Sequence, residues 1–458
     1  MKRLLLSPLA PALLLPLAAL ALRLPYLNRA VLDWDESLYF LMAQSWHAGH
    51  LPYTAVWDNK PIGIYVIFAL FQYLAPGVAA MRLAAALFVG GLSLTSFALT
   101  LTLTGERLAA WISGIAVLVC AMANDGLSAN TELFMASFTA LALLGALRGW
   151  PGLVVGLCLG CAFMVKYVAI TEAPLVLAVL ALRRRQVAPV AWAILGAALP
   201  LLAAIALYAA AGQLPLWFTC SILANFRRAA VPIPPGTAWW GISTQLIRWG
   251  TLYAATALLA AFRGTRMVAL WLALALVGAS AAKYFYDHYF LQALPPVCVG
   301  LGLFISRLPR RVWLRVAATA ALLAPPAWAG WQAYRWALSP DDVRLDAAAI
   351  TALHPHSLYV FDAQPILYAL TGLPAPTRYV LPSVIAGNRL APVAQINPSA
   401  ELARILATSP QLIIRRDPPP GPDWANEAIS DQLNAALAAR YHVAAHPPGA
   451  VLYQLNSN

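Results

Sequence analysis

The amino-acid sequence predicts a polytopic α-helical membrane protein with a C-terminal extracytoplasmic α/β domain. The chain has 458 residues, of which 61% are hydrophobic and only 10% are charged, so it is not an ordinary soluble globular protein. Apolar runs of about 20 residues, long enough to cross a bilayer, recur from the N-terminus to about residue 335. From residue 336 onward, patterns of short helices and strands replace them.

The first apolar run, residues 5–24, follows Lys2 and Arg3 and has the general layout of a secretory signal peptide. We interpret it as an uncleaved first helix, because the run is long and no clear small-x-small cleavage site precedes the next, acidic stretch. It is therefore counted as the first membrane span.

Basic residues cluster in short gaps between the apolar runs, and these gaps alternate with gaps that are poor in basic residues. The net charge of +12 thus follows the positive-inside rule and does not indicate nucleic-acid binding. With the basic gaps in the cytoplasm, about eleven transmembrane helices are predicted, at 5–24, 81–104, 108–124, 131–147, 152–165, 167–182, 188–211, 241–262, 266–283, 287–306 and 312–334.

The apolar stretch 62–75 is shorter than these runs and ends at Pro76 and Gly77, so we expect it to lie at the membrane interface. An odd number of crossings places the C-terminus on the outer side. The chain is accordingly divided into a transmembrane domain, 1–335, whose first outer loop spans 25–80, and a periplasmic α/β domain, 336–458.

The α/β domain is predicted from helix and strand patterns that alternate along the chain. The short apolar segments SLYVF at 357–361, QLIIR at 411–415 and GAVLYQL at 449–455 indicate strands. Between them, the sequence favours helices near 365–372, 399–407 and 424–441.

The predicted topology gathers acids and lysines at the outer face. Of the nine acidic residues before residue 340, only Glu106 falls on the cytoplasmic side. The chain has four lysines, and three of them, Lys60, Lys166 and Lys283, lie at the outer ends of apolar segments. Because ionisable residues at membrane depth are costly and usually functional, the sequence predicts a site at this face.

The stretch DWDESLY at 33–39 follows almost featureless hydrophobic sequence. One interpretation is a helix N-terminus, with Asp33 as the N-cap and Glu36 as the reciprocal residue of a capping box. That interpretation leaves Asp35 unexplained. We therefore expect a capped interfacial helix that also holds Asp35 in place for a functional role.

Three short motifs in this first outer loop carry a family resemblance: Asp35-Glu36, GHLPY at 49–53, and Lys60-Pro61-Ile62. Together with APGVAAMRLAAALF at 75–88, they resemble the polyprenyl-phosphate-sugar-dependent glycosyltransferases of the GT-C fold, and in particular glycosyltransferase family 39. That family includes the dolichyl-phosphate-mannose–protein mannosyltransferases and the lipid A aminoarabinose transferase.

Four further segments are similar to the same family in matching order, so that the resemblance covers nearly the whole chain. They are SANTELFMASF at 128–138, GCAFMVKYVAI at 160–170, KYFYDHYFLQALPP at 283–296 and LYVFDAQPILYALTGLPAPTRYV at 358–380. The chain departs from the family pattern at Ile62, where a second proline is usual, and after Lys166, where Gly-Pro is usual.

The resemblance implies a GT-C-like fold and an enzyme that moves a sugar from a polyprenyl-phosphate donor to a hydroxyl of a lipid, glycan or protein acceptor, with inversion. We expect it in the bacterial inner membrane, among membrane lipids, with its site on the periplasmic side. A transporter or flippase of a lipid-linked sugar is the alternative, and a non-catalytic scaffold is a third. A transporter should carry ionisable residues near the midplane and often an internal repeat, neither of which is evident.

The family resemblance assigns Asp35 as the general base, and partial burial beside Trp34 is expected to raise its basicity. Glu36 is a second catalytic candidate, or simply a helix cap. The substrate-binding candidates are Lys60, Lys166 and Lys283 for the donor phosphate, Arg82 and His288 as secondary phosphate ligands, and Tyr53, Asp125 and Glu132.

Several of these residues have structural alternatives. Glu132 would equally suit a helix start, and Asp125 an interfacial loop. Lys283 could merely extend from its helix end to the membrane surface. The pair Arg227-Arg228 could contact a phosphate or anionic headgroups, and headgroups are slightly favoured.

The sequence identifies no cofactor and leaves a divalent metal open. His47 and His50 are spaced i, i+3 and have no evident third ligand. Cys158 and Cys161 form a C-x-x-C in a mid-helix context, which favours buried small hydrophobic side chains over a metal or redox site.

Overall fold

Helices occupy the apolar runs of the chain in this computed structural model, which describes residues 7, 9–75, 77–281 and 283–456. Lys2, Arg3 and Pro76, which entered the topology prediction, lie outside the described residues. The described helices of this part are α1 (Ala10–Arg23), α2 (Trp34–His47), α3 (Gly63–Leu74), α4 (Ala79–Thr104), α5 (Arg107–Cys120), α6 (Thr131–Arg148), α7 (Gly152–Val165), α8 (Ala173–Arg184), α9 (Ala188–Ala210), α10 (Leu214–Trp217), α11 (Ala224–Ala230), α12 (Thr237–Leu258), α13 (Arg266–Ala281), α14 (Leu294–Arg307) and α15 (Val312–Ala337).

Each predicted span overlaps one of these helices. Within the described ranges, five helical segments are long and apolar enough to cross a membrane: Ala79–Thr104, Thr131–Arg148, Ala188–Ala210, Asp287–Arg307 and Val312–Ala352. The other apolar helices are shorter, so the count of about eleven crossings stays a prediction. The Ala188–Ala210 segment exposes most of its apolar surface, as a lipid-facing helix would.

Two predicted spans begin with a 3-10 helix. Tyr167–Thr171 precedes α8, and Asp287–Ala293 precedes α14. Proline occupies the first turn of both α-helices, where its missing N–H has no cost, so the regular helix starts there. Both 3-10 segments pack against α6, and this arrangement brings Lys166 and His288 to the same region.

The α7–α9 pair shows how small residues bring helices together. A side chain at Gly156 would place its Cβ 1.9 Å from the carbonyl oxygen of Ala193, and one at Gly196 would lie 2.2 Å from that of Leu153. Only glycine therefore permits this separation, as is common where membrane helices pack. The glycines of the C-x-x-C segment thus serve packing, and the free Cys158 and Cys161 lie within the same helix.

A four-stranded sheet lies beyond α15. The elements are α16 (Asp342–Ala352), β1 (Leu358–Val360), α17 (Leu367–Thr371), α18 (Pro382–Ile385), α19 (Ala391–Ala394), α20 (Pro398–Ala407), β2 (Leu412–Arg416), α21 (Glu427–Arg440), β3 (Tyr441–Ala445) and β4 (Ala450–Leu455). The strand order is β1-β2-β4-β3, with β1 and β2 parallel and the other pairs antiparallel. The strand β3 was not predicted, because only Tyr441 of its five residues is buried and the segment shows no alternation of apolar and polar side chains.

The two faces of this sheet pack against different parts of the chain. Tyr359 and Ile413 join a cluster with α20 and α21. Leu358 and Leu412 point to the other face and belong to the cluster that contains the first loop, including Trp57. The N–H of Trp57 also donates to the carbonyl of Arg378, at 2.8 Å. The sheet region is therefore packed directly on the loop that carries the predicted site.

Candidate active site

Asp35 lies in the first turn of α2 and is held there by a complete capping box. The Asp33 side chain accepts a hydrogen bond from the Asp35 N–H, and the Glu36 side chain accepts from the Asp33 N–H. The cap fixes the start of the helix and so the direction of the Asp35 carboxylate. Its Oδ2 accepts a hydrogen bond from the Tyr39 hydroxyl at 3.2 Å and lies 3.1 Å from Nζ of Lys60.

Lys60 is positioned by a network of buried tyrosines. The Tyr53 hydroxyl donates to the Lys60 carbonyl at 2.7 Å, and Tyr65 donates to Asp58 at 2.8 Å. Asp58 is itself 3.9 Å from the Lys60 ammonium. Tyr53, a substrate-binding candidate, is fully buried and has a positive φ of 71°. In this structure it supports the backbone of Lys60 and does not line the cavity described below.

A close backbone contact brings the Lys60 loop to Lys166. A Cβ at Gly63 would lie 2.4 Å from the carbonyl oxygen of Met164, so the two chain segments can meet only where residue 63 lacks a side chain. Lys166 follows two residues later, at the C-terminal end of α7. Its ammonium pairs with Glu132 and lies 3.9 Å from the centre of the Tyr289 ring. Lys60 and Lys166 are thereby brought together.

The charge around Asp35 keeps it ionised. Burial alone would raise the pKa of this carboxyl, but the positive charges of Lys60, His288 and Arg228 outweigh burial and hold the pKa below its ordinary value. The sequence-based expectation that burial would make Asp35 more basic is therefore wrong in direction. The reason is that its partner cation lies within hydrogen-bonding distance.

Glu36 and Arg82 form a fully buried, bidentate ion pair, with two N–O distances of 2.5 Å. Glu36 also accepts hydrogen bonds from the N–H groups of Leu32 and Ala129. All of its oxygens are thus engaged within the protein. This geometry favours the interpretation of Glu36 as a structural residue at the helix start. The guanidinium of Arg82, a secondary candidate for binding phosphate, is engaged in the same ion pair.

Three predicted residues meet at a second point near the loop. Nδ1 of His288 lies 3.6 Å from Oδ2 of Asp33 and 3.8 Å from Oδ2 of Asp125. Burial is the main cause that raises the pKa of Asp33 to about 6, and the neighbouring Asp35 adds to it. One ligand atom from each of Asp33, Asp125 and His288 lies within 4.8 Å of the others, a donor set that suits a divalent transition metal.

Lys283 lies apart from the other two lysines. Its side chain is exposed and donates to the carbonyl of Ala229 at 3.0 Å, and its backbone has a positive φ of 64°. Within the described residues, the predicted convergence of three lysines is therefore seen for Lys60 and Lys166 and not for Lys283.

A cavity of about 940 Å³ opens beside Asp35. It is bordered by residues from six parts of the chain: 32–35, Asp125, the segment 228–241, the segment 284–289, the segment 381–390, and Trp424. Aromatic side chains line much of it, and Arg228, His288 and Arg389 supply positive charge. The sheet region thus forms one wall of the cavity that contains the candidate base.

Two residues at this cavity were missed or given another role by the sequence analysis. A guanidinium nitrogen of Arg228 lies 3.3 Å from the Tyr289 hydroxyl and the group packs over the Tyr284 ring at 5.0 Å. Arg228 therefore faces the cavity, although its pattern slightly favoured lipid headgroups. The unusual density of tyrosine in KYFYDHYF was the signal for Tyr289, since hydroxyl-bearing rings suit polar cavities.

The fold defined by these helices and the sheet region is the GT-C fold of membrane glycosyltransferases. The crystal structure of ArnT from Cupriavidus metallidurans bound to undecaprenyl phosphate superposes with a TM-score of 0.67 at 16% identity, over 98% of both chains. The apo structure of that protein gives a TM-score of 0.62 at 16% identity, over 96% of this chain and 97% of the other.

A more distant structure shares the fold. The oligosaccharyltransferase AglB from Archaeoglobus fulgidus, in complex with an inhibitory peptide and a dolichol-phosphate, gives a TM-score of 0.52 at 11% identity. The match covers 89% of this chain and 69% of AglB. The GT-C resemblance read from the loop motifs is thereby confirmed at the level of the fold. No protein-family model matches the sequence, and no curated protein matches it either.

Proposed function

We propose that this protein is a membrane glycosyltransferase that moves a sugar from a polyprenyl-phosphate donor to an acceptor hydroxyl, with inversion, at the periplasmic face of a bacterial inner membrane. The observation that carries the proposal is the Asp35–Lys60 ion pair, whose carboxylate lines a large cavity. It joins a carboxylate that can take a proton to a cation that can bind a phosphate. The GT-C fold, shared with a structure bound to undecaprenyl phosphate, supports the same activity.

The donor phosphate would be held by Lys60, Arg228 and the hydroxyl of Tyr289. Arg228 and Tyr289 line the cavity, and a guanidinium nitrogen of Arg228 lies 3.3 Å from the Tyr289 hydroxyl. The Lys60 ammonium lies next to the cavity, 3.1 Å from the carboxylate of Asp35 that lines it. Lys166 adds positive charge behind the Tyr289 ring. Guanidinium and ammonium groups form short, charge-assisted hydrogen bonds to phosphate oxygens, so this set suits a phosphate monoanion or dianion.

Donor binding would also release the base. The Lys60 ammonium neutralises Asp35 and thereby lowers the basicity of the carboxylate. A donor phosphate competes for the same ammonium, so the Asp35–Lys60 contact weakens and the pKa of Asp35 rises. The base therefore becomes effective when the donor is in place.

The reaction then proceeds as one displacement. Asp35 takes the proton of the acceptor hydroxyl, the acceptor oxygen forms a bond to the anomeric carbon, and the bond from that carbon to the phosphate oxygen breaks. Polyprenyl phosphate leaves with the bonding electron pair, and its new charge is stabilised by Lys60 and Arg228. Attack from the side opposite the phosphate inverts the anomeric configuration.

The proposal is tested by reconstituting the purified protein in proteoliposomes with polyprenyl-phosphate sugars and an extract of envelope glycolipids, glycans and proteins. We expect sugar to appear on an acceptor and free polyprenyl phosphate to accumulate, both detected by mass spectrometry. Movement of intact lipid-linked sugar across the bilayer without transfer would instead establish a flippase. Comparing envelope glycolipids and glycoproteins of a gene deletion with wild type would identify the acceptor.

A further inference from the structure

A second cavity, of about 530 Å³, lies within the sheet region. One side is formed by α21 and the other by the proline-rich segment that contains Pro419, Pro420 and Pro422, with Tyr453 of β4 also in the lining. Proline fixes the backbone φ angle at each of these positions, which reduces the conformational freedom of this rim. None of these residues takes part in the proposed transfer chemistry.

The face of α21 that borders this cavity is polar throughout. Glu427, Ser430, Asp431 and Asn434 follow the i, i+3, i+4, i+7 spacing of a single helix face, and all four line the cavity. The apolar residues of the same helix point the other way and are buried. This helix therefore presents a row of hydrogen-bonding groups to a concave surface.

The charge of the lining is negative. Asp362 is buried and paired with Arg415 at 3.4 Å, so these two cancel. Within the part of the chain that the structure describes, neither Glu427 nor Asp431 takes part in an ion pair. Both are exposed carboxylates that can accept hydrogen bonds from hydroxyl groups, and both would repel an anionic ligand.

A tryptophan joins the two cavities. Trp424 lines the cavity beside Asp35 and also the cavity at α21. Its ring meets that of Trp34, the residue before Asp35, edge to face with centroids 5.9 Å apart. The two cavities are therefore adjacent, with Trp424 as a residue of both linings.

We propose that the α21 cavity binds the uncharged, hydroxyl-rich glycan part of the acceptor, while the acceptor's reacting hydroxyl occupies the cavity at Asp35. Aromatic rings such as Trp424 and Tyr453 pack on the apolar C–H faces of a sugar, and the carboxylates of α21 accept hydrogen bonds from its hydroxyls. The amide oxygen of Asn434 already accepts from Arg415, so this residue offers its NH2 group as a donor. The assignment of this glycan to an acceptor rests on the proposed transferase function.

The test uses the full-length protein in nanodiscs, applied to an array of neutral and anionic oligosaccharides. We expect retention on neutral oligosaccharides and not on anionic ones. Asp431→Ala should weaken that binding by roughly tenfold, the effect of losing one charged hydrogen-bond partner. Asp423→Ala is the matched control, because Asp423 is also an exposed aspartate next to Trp424 but does not line either cavity among the described residues.

Binding and transfer are separated by the Asp35→Asn variant, which should bind the neutral oligosaccharides as wild type does and lose sugar transfer. If no neutral oligosaccharide binds, or if Asp431→Ala and Asp423→Ala bind equally well, the glycan subsite is wrong whatever the transfer assay shows. If Asp35→Asn still transfers sugar, the proposed function fails while glycan binding by the α21 cavity is judged on the array alone.

Discussion

The ammonium of Lys60 lies 3.1 Å from Oδ2 of Asp35, so the candidate base and a candidate phosphate ligand are partners in one ion pair. The ammonium of Lys60 therefore lowers the basicity of Asp35, and the carboxylate of Asp35 occupies the ammonium that would bind the donor phosphate. A group that draws Lys60 away, as a donor phosphate would, makes Asp35 a better base. Removing either residue changes both donor binding and proton transfer, and the experiments below separate the two effects.

Asp35→Asn should reduce sugar transfer to background while leaving folding near normal, because the amide has the same shape but cannot accept the proton. Asp33→Asn is the comparison, since asparagine caps a helix as well as aspartate and keeps one side-chain oxygen beside Asp125 and His288. Transfer rates of the two purified variants in proteoliposomes give the comparison. Equal loss in both variants would show that the loop as a whole, and not the Asp35 carboxylate, was disturbed.

Lys60→Ala should weaken use of the lipid donor by roughly ten- to a hundredfold, since a charge-assisted hydrogen bond is worth about 1.5–3 kcal/mol. Lys60→Arg should restore part of the affinity because it keeps the charge with a different geometry. The apparent KM for the polyprenyl-phosphate sugar is the quantity to measure.

Lys283→Ala provides the matched control for this series. The Lys283 side chain is exposed and directed to the carbonyl of Ala229, so donor use should stay close to the wild-type value. An unchanged donor KM in Lys60→Ala, or equal effects of the two alanine variants, would exclude the phosphate role of Lys60.

The pH dependence should differ between the free and the donor-bound protein. The pKa of Asp35 is held below its ordinary value, so the carboxylate stays charged until the pH falls below about 3.9, the unperturbed value. The acid limb of kcat/KM, which reports the free enzyme, should therefore lie at lower pH than the acid limb of kcat, because bound donor competes for Lys60.

The measurement is best made in the Asp33→Asn background. The pKa of Asp33 is raised to about 6, and its titration would otherwise overlap the range of interest. Acid limbs of kcat and kcat/KM at the same pH would contradict release of the base by the donor.

Arg82→Met should lower the free energy of unfolding by about 3–5 kcal/mol, because it leaves the Glu36 carboxylate buried without its partner. The double variant Glu36→Gln with Arg82→Met should recover much of that loss, since neither side chain then carries a charge. Thermal unfolding in detergent tests both. If the double variant were no more stable than Arg82→Met alone, the pair would not be the source of the instability.

The proposed periplasmic orientation predicts which introduced cysteines react with an impermeant thiol reagent in intact spheroplasts. Cysteines at His50 and His356, both exposed, should be labelled. Cysteines at Arg183 and Arg310, also exposed, should be labelled only after lysis. The reverse pattern would invert the topology derived from the basic gaps.

The sequence predicted well what depends on local pattern. Apolar length located the helices, and the acids at 33–36 marked the capped start of α2, because both signals act between residues close in the chain. It also indicated Lys60 and Lys166 as neighbours, since each lies at the end of an apolar segment.

The tertiary contacts of the site residues could not be predicted from the sequence. Nothing local to Asp35 shows that Lys60 will reverse its expected pKa shift, and nothing local to Glu36 shows that Arg82, 46 residues away, will bury it in an ion pair. The sequence left Arg228 open between a phosphate and anionic headgroups, with headgroups slightly favoured, because Tyr289, which its guanidinium contacts, lies in a different segment. Pairings of this kind are decided by tertiary packing, which brings distant segments into contact.

The contact between Trp34 and Trp424 has a consequence for how such a protein can diversify. The residues that perform the proposed chemistry lie before α15, while the wall that faces them across the cavity comes from the chain after it. Exchange of the segment after Ala337 for that of another protein with this fold would therefore replace the surface presented to the acceptor and keep Asp35 and Lys60. For the proposed transferase, preference for the acceptor and capacity to transfer the sugar would thus be determined by different parts of the chain.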